Sequence, residues 1–96
     1  MGSTYQIHNQ NTVYFLTFQV VGWVDIFSRQ CYRDLVIKNL NYSRLYKDLN
    51  LHAYVIMTNH IHLIVSHKRG ELSNWVRDFK KHAAKEIFKM IEEVNE

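Results

Sequence analysis

Two histidines one residue apart, His60 and His62, interrupt an otherwise almost wholly apolar stretch, YVIMTNHIHLIV at residues 54–65. In a β-strand, residues i and i+2 point to the same side of the sheet, so both imidazoles would face one way while Ile61 and Leu63 face the core. Two imidazoles on one face can bind a single metal ion. They are too few for a closed structural zinc site, but they suit an open catalytic site that water, substrate and a third protein group complete.

The histidine pair alone does not decide the function. Paired histidines also occur on sheet faces where they are exposed to water or hydrogen-bonded to a neighbour, so the spacing leaves both interpretations open. The other histidines are interpreted in this ordinary way, although His52 or His67 could lie near the pair: His8, His52, His67 and His82.

Basic residues are concentrated after the histidine pair. The net charge of the chain is only +3, which is weak support for a nucleic-acid partner. The distribution is more informative, since a cluster after His62 could contact DNA phosphates or could simply be a solvated helix face. The candidate DNA-binding residues are Lys68, Arg69, Arg77, Lys80, Lys81 and Lys85.

Length and composition predict one soluble, cytoplasmic domain. The chain has 96 residues, which is enough for one domain and too few for two. Its single cysteine, Cys31, excludes an internal disulfide and fits a reducing compartment. The first twelve residues are polar, unlike a signal peptide, and no apolar run approaches the roughly 20 residues needed to cross a bilayer.

The hydrophobic pattern predicts an α+β fold in the order strand, helix, strand, strand, helix. Asn59 could take a left-handed conformation in a tight turn between the second and third strands. This order is that of a ferredoxin-like antiparallel sheet with two helices and with the final strand missing. The predicted elements are strands at 12–21, 51–57 and 60–66, and helices from Ser28 to about Asn50 and from Glu71 to about Val94.

The two predicted helices differ in how clearly their buried faces are marked. In the first, Ser28 is a candidate N-cap, and one apolar stripe contains Cys31, Leu35, Tyr42, Tyr46 and Leu49. The second helix has a continuous apolar face that includes Leu72, Trp75, Val76, Phe79, Ala83, Ile87, Met90 and Val94.

The phrase AYVIMTNHIHLIV resembles the signature of the HUH-type single-tyrosine transposases of small bacterial insertion sequences, the insertion-sequence-200-like family. This family includes relatives that act at repeated extragenic palindromes. The match runs through Met57, Asn59, His60, Ile61 and His62, with Thr58 where proline is common. The segments TVYFLTFQVVGWVDIFS and LSNWVRDFKKHAAKEI are also similar to the family, so the resemblance covers nearly the whole chain.

The resemblance implies a metal-dependent activity on single-stranded or hairpin DNA. In the family, a divalent ion, Mg²⁺ or Mn²⁺, is held at the positions of His60 and His62 and polarises the scissile phosphate. A tyrosine hydroxyl attacks that phosphate, and the resulting 5′-phosphotyrosine linkage allows the strand to be rejoined. The family also implies a homodimer.

The catalytic tyrosine has no counterpart at the expected place. In the family it follows the histidines, on a helix that also supplies the third metal ligand. Here every tyrosine precedes His60, so the nucleophile is unknown: Tyr5, Tyr14, Tyr32, Tyr42, Tyr46 and Tyr54. We therefore expect residues 1–96 to be the N-terminal portion of a longer family domain, inactive alone. A decayed gene, a non-catalytic DNA-binding module and a ferredoxin-like dimerisation domain with incidental histidines are the alternatives.

Overall fold

The computed structural model describes residues 12–20 and 25–94. These residues form three strands, two long helices and a short 3₁₀ turn at Ile26–Ser28. The strands are β1 (Tyr14–Gln19), β2 (Leu49–Ile56) and β3 (His60–His67), and the helices are α1 (Gln30–Tyr46) and α2 (Leu72–Val94).

The three strands form one antiparallel sheet in the order β1-β3-β2, so β3 is central. Both helices pack on one side of this sheet, and no helix or strand of the described residues covers the other side, which is called the open side. The α+β architecture confirms the predicted fold class and is compatible with a ferredoxin-like arrangement. None of the helices in the described part of the chain is long and apolar enough to cross a membrane.

The core lies between the sheet and the helices. Alternate residues of β3, Ile61, Leu63 and Val65, have no solvent exposure. Phe18 of β1 faces the same side, and its ring lies 5.3 Å from that of Phe79 on α2. Burying side chains of this size stabilises the fold by roughly 1.5–3 kcal/mol each. The helices therefore pack on the side of the sheet to which the apolar residues of β3 point.

The predicted start and end of the first helix are wrong. Ser28 belongs to the 3₁₀ turn and donates its hydroxyl to the Asp25 carbonyl oxygen, at 2.7 Å, instead of capping α1. The helix ends at Tyr46 because Asp48 takes a left-handed conformation, with φ of 59°. Aspartate tolerates this conformation better than most residues, and the chain turns there into β2.

The predicted apolar stripe of the first helix is also wrong in part. Tyr42 and Tyr46 are exposed, and their rings pack against each other at 4.9 Å. Leu49 lies in β2. The residues of α1 that join the core are Tyr32, Leu35, Val36 and Leu40. By contrast, the predicted buried face of α2 is confirmed from Leu72 to Ile87.

The His67 side chain connects two turns of the chain by hydrogen bonds. Its Nδ1 accepts hydrogen bonds from the backbone N–H groups of Arg69 and Glu71, both at 3.2 Å. Its Nε2–H donates to the carbonyl oxygen of Lys47 at 3.0 Å. This buried imidazole therefore joins the turn before α2 to the turn after α1.

Candidate metal centre

His60 and His62 lie at the start of the central strand β3, on the open side of the sheet. Their rings are nearly perpendicular, at 81°, and their centroids are 4.7 Å apart. Both side chains are half-buried, whereas the intervening Ile61 is fully buried on the opposite side. The structure confirms the prediction that both imidazoles lie on one side of the sheet. They share this side because alternate residues of a strand point the same way.

Each imidazole is oriented through its Nδ1 atom. Nδ1 of His60 lies 2.7 Å from Oδ1 of Asn59, and Nδ1 of His62 lies 3.1 Å from Oγ1 of Thr17 on β1. With Nδ1–H donating to these oxygens, Nε2 of each ring carries the lone pair that a metal ion would use. Neither Nε2 atom forms a hydrogen bond to any residue in the described part of the chain. This is the usual arrangement of metal-ligating histidines, whose second nitrogen is held by an oxygen.

The turn before His60 is fixed to the rest of the fold by backbone hydrogen bonds. The Met57 N–H donates to the His60 carbonyl oxygen at 2.8 Å and closes the turn. The carbonyl oxygens of Thr58 and Asn59 accept from the N–H groups of Phe27, at 2.8 Å, and Val20, at 3.0 Å. Asn59 does not have a positive φ, contrary to the conformation suggested from its residue type.

The neighbouring strands complete the surroundings of the pair. In β1, Thr17 pairs with His62 and Gln19 pairs with His60. The Phe15 ring lies 5.4 Å from the His62 ring and is 58% exposed. In β2, the exposed Val55 pairs with His62. The pair is therefore open to solvent and bordered by an exposed aromatic ring.

The other histidines do not join the pair. His52 Nε2 lies 3.0 Å from Ser66 Oγ, and His67 forms the turn contacts described above. His67 lies five positions after His62 along the strand, which is about 17 Å at roughly 3.3 Å per residue. Within residues 12–20 and 25–94, no group of three His, Cys, Asp or Glu side chains could hold a metal ion.

The candidate DNA-binding residues lie apart from the histidine pair. Lys68 and Arg69 follow β3, at the opposite end of the strand from His60, and Arg69 is 3.6 Å from the Asp48 carboxylate. On α2, Lys81 and Lys85 are exposed on the side that faces away from the sheet. Arg77 shares that side and lies 3.4 Å from Asp78, whereas Lys80 is half-buried at its flank. Their contact with DNA stays a prediction.

None of the tyrosines in the described residues faces the histidine pair. Tyr14 packs against the core, and Tyr54 pairs with Leu63, on the helix side of the sheet. Three more belong to α1, on that same side: Tyr32, Tyr42 and Tyr46. Tyr5 lies outside the described residues. The side chains next to His60 and His62 are therefore the two that orient them and an aromatic ring, and no tyrosine of the described residues lies there.

The fold and the histidine pair together define an α+β domain with an open site on the central strand of its sheet. The family model described as "Transposase IS200 like" matches residues 22–96, well over half of the chain, and the chain belongs to this family. It is therefore a transposase-family domain, from a family of enzymes that cut and join DNA, and DNA is its partner. Comparisons with curated proteins and with solved structures find no significant match.

Proposed function

We propose that this chain binds single-stranded or hairpin DNA and supplies the metal-binding part of a site that cleaves and rejoins the strand through a phosphotyrosine intermediate. The observation that carries the proposal is the pair of half-buried imidazoles on the open side of β3, each held through Nδ1 with Nε2 directed away from that contact. A solvent-accessible pair of nitrogen ligands suits a substrate that must approach the metal ion.

In this proposal His60 and His62 hold a divalent cation, and Asn59 and Thr17 keep their rings in the binding tautomer. A bound Mg²⁺ or Mn²⁺, the ions expected for the family, supplies Lewis-acid polarisation of the scissile phosphate. Imidazole by itself favours heavier transition metals, so the two histidines do not select the ion. The exposed Phe15 ring offers a surface on which an unpaired base can stack.

In this proposal the covalent step uses a tyrosine that lies outside residues 1–96. Its hydroxyl oxygen forms a bond to phosphorus while the bond to the 3′-oxygen breaks, which leaves a 5′-phosphotyrosine and a 3′-hydroxyl. Attack by a 3′-hydroxyl on that linkage reverses the step, so rejoining needs no nucleotide cofactor. We place residues 1–96 in one domain that binds metal and DNA, acts in the cytoplasm as a homodimer, and forms no adduct without that tyrosine.

The proposal is tested by incubating the 96-residue chain with a fluorescent single-stranded hairpin DNA, with and without Mn²⁺. We expect binding that Mn²⁺ strengthens, and we expect His60→Ala to remove that strengthening. The matched control is His52→Ala, which changes a histidine on β2 that bonds Ser66 instead of facing the pair. Denaturing electrophoresis of the same samples should show no covalent adduct.

Each other outcome favours a named alternative. Binding that is insensitive to both Mn²⁺ and His60→Ala would favour a non-catalytic DNA-binding module. Absence of binding to either single-stranded or hairpin DNA would contradict the proposal and leave a dimerisation domain with incidental histidines. A covalent adduct would support the enzyme but contradict the position assigned to the nucleophile.

A further inference from the structure

His67 is a buried histidine that takes no part in the candidate metal centre. It ends β3 and is 9% exposed. Its Nδ1 lies 3.2 Å from the backbone nitrogens of both Arg69 and Glu71, and its Nε2 lies 3.0 Å from the carbonyl oxygen of Lys47. The two N–H groups can only donate and the carbonyl oxygen can only accept, so these partners select the neutral ring with its proton on Nε2.

A proton on Nδ1 is incompatible with these contacts. The protonated imidazole donates from both nitrogens, so Nδ1–H would point at the N–H groups of Arg69 and Glu71, and both hydrogen bonds would be lost. Histidine is the side chain that ordinarily gains a proton between about pH 8 and pH 5. An asparagine oxygen could accept the same two N–H groups, but it would not change its protonation in this range. A histidine at position 67 therefore makes the contact sensitive to pH.

The charges around His67 nearly balance. The groove between α1 and α2 that His67 lines also contains Lys38, Lys47 and Glu71, and the exposed Lys68 follows His67 in the chain. Three further carboxylates of this groove each lie beside a basic side chain, which offsets their charge. These pairs are Asp48 with Arg69, Asp78 with Arg77, and Glu86 with His82. The hydrogen bonds of the ring therefore decide how this part of the fold responds to a proton.

We propose that His67 is an acid-sensitive switch whose protonation releases the turn at residues 68–71 and loosens the start of α2. After protonation the Nε2–H group still donates to Lys47, but the two hydrogen bonds of Nδ1 are lost. The turn is then joined to the end of α1 by a backbone hydrogen bond from the Lys68 N–H to the Asp48 carbonyl oxygen, at 2.9 Å. The stabilisation is thus present where the imidazole is neutral and is lost as the pH falls.

The test is nuclear magnetic resonance spectroscopy of the 96-residue chain from about pH 8 to about pH 5. We expect the nitrogen signals of His67 to show the Nε2–H tautomer at the upper pH, and the amide signals of Arg69 and Glu71 to shift with the same midpoint as the ring. The protection of these two amides against hydrogen exchange, corrected for the intrinsic rate, should fall by at least about 10-fold at the lower pH. His67→Asn, which keeps an acceptor oxygen that does not titrate, should remove this fall. The matched control is His82→Asn, which changes an exposed histidine of the same groove.

Three results would overturn the switch. The first is equal protection of the Arg69 and Glu71 amides at both pH values, the second is a fall in protection that persists in His67→Asn, and the third is an Nδ1–H tautomer at the upper pH. If circular dichroism shows that His67→Asn does not fold, the tautomer and the shared midpoint in the unchanged chain decide the question. These measurements need neither a metal ion nor DNA, so their outcome is independent of the proposed function.

Discussion

Thr17 shows how one hydroxyl group on a neighbouring strand can control a candidate ligand. It comes from β1, 45 residues before His62, and lies 3.1 Å from Nδ1 of that histidine. A valine at position 17 would fill nearly the same volume but could not accept a hydrogen bond from the Nδ1–H group of His62. At the scale of single residues, the site therefore depends on oxygens that hold the rings as much as on the rings themselves.

We expect Thr17→Val to weaken Mn²⁺ binding by about 10- to 100-fold, because His62 loses the hydrogen bond that fixes its tautomer and orientation. Calorimetric titration with Mn²⁺ provides the measurement. Thr12→Val is the matched control, since Thr12 is exposed and precedes β1. Equal losses in the two variants would show that the effect does not come from contact with His62.

His67 stabilises the fold through hydrogen bonds to three backbone groups. We expect His67→Ala to lower the free energy of unfolding by roughly 2–3 kcal/mol, because three backbone groups lose their partner at about 1 kcal/mol each. Urea denaturation followed by circular dichroism measures this change. His82→Ala, on the exposed side of α2, should change stability little, since an exposed side-chain contact such as that between His82 and Glu86 contributes little. A loss below about 0.5 kcal/mol in His67→Ala would contradict this role.

At the scale of elements, the histidine pair and the exposed lysines of α2 lie on opposite sides of the sheet, although they are close in sequence. The histidines project from the open side of β3, whereas α2 covers the other side and turns Lys81 and Lys85 outward. A helix layer on a sheet adds about 10 Å between such surfaces. A DNA strand that meets both must pass around the edge of the sheet, or the basic face of α2 binds a different part of the DNA.

We expect the double variant Lys81→Ala, Lys85→Ala to leave Mn²⁺ affinity unchanged while it weakens binding to single-stranded DNA. Each lost phosphate contact should reduce the slope of log affinity against log salt concentration by about 0.7. Fluorescence anisotropy across a salt series measures the slope. Lys38→Ala on α1 is the control, and an unchanged slope in the double variant would mean that this face of α2 does not contact phosphates.

At the scale of the whole molecule, the two edges of the sheet differ. The edge strand β2 has a register shift between Leu51 and Ala53, an irregularity that discourages pairing with another chain. The outer edge of β1 pairs with no strand of the described residues, and β1 continues without such a shift against β3. This edge is the natural place for a second chain to add to the sheet.

We therefore expect a homodimer joined through β1, because unpaired strand N–H and carbonyl groups favour pairing with a second strand. Sedimentation velocity should show a dimer whose population increases over the micromolar range, and amide exchange in β1 should slow as the dimer forms. A monomer throughout this range would contradict the prediction. Slower exchange in β2 instead would assign the interface to the other edge.

Much of this architecture follows from local periodicity. A strand repeats every two residues, so Ile61 and His62 must face opposite sides wherever β3 lies, and the apolar face of α2 is equally clear from its helical spacing. Where local signals compete, prediction fails. Tyr42 and Tyr46 of α1 follow a helical stripe yet stay exposed, and Asp48 ends the helix through a conformation that residue type permits but does not impose.

The amino-acid sequence by itself therefore determined the common side of His60 and His62, because neighbouring residues of one strand are related by geometry that no distant contact can alter. Tertiary structure decided what surrounds them. Thr17 and Gln19 reach the pair only through strand pairing across more than forty residues, and the basic face of α2 lies away from it because the helix packs on the covered side. Such long-range placements depend on the whole packed core, so no short stretch of sequence contains them.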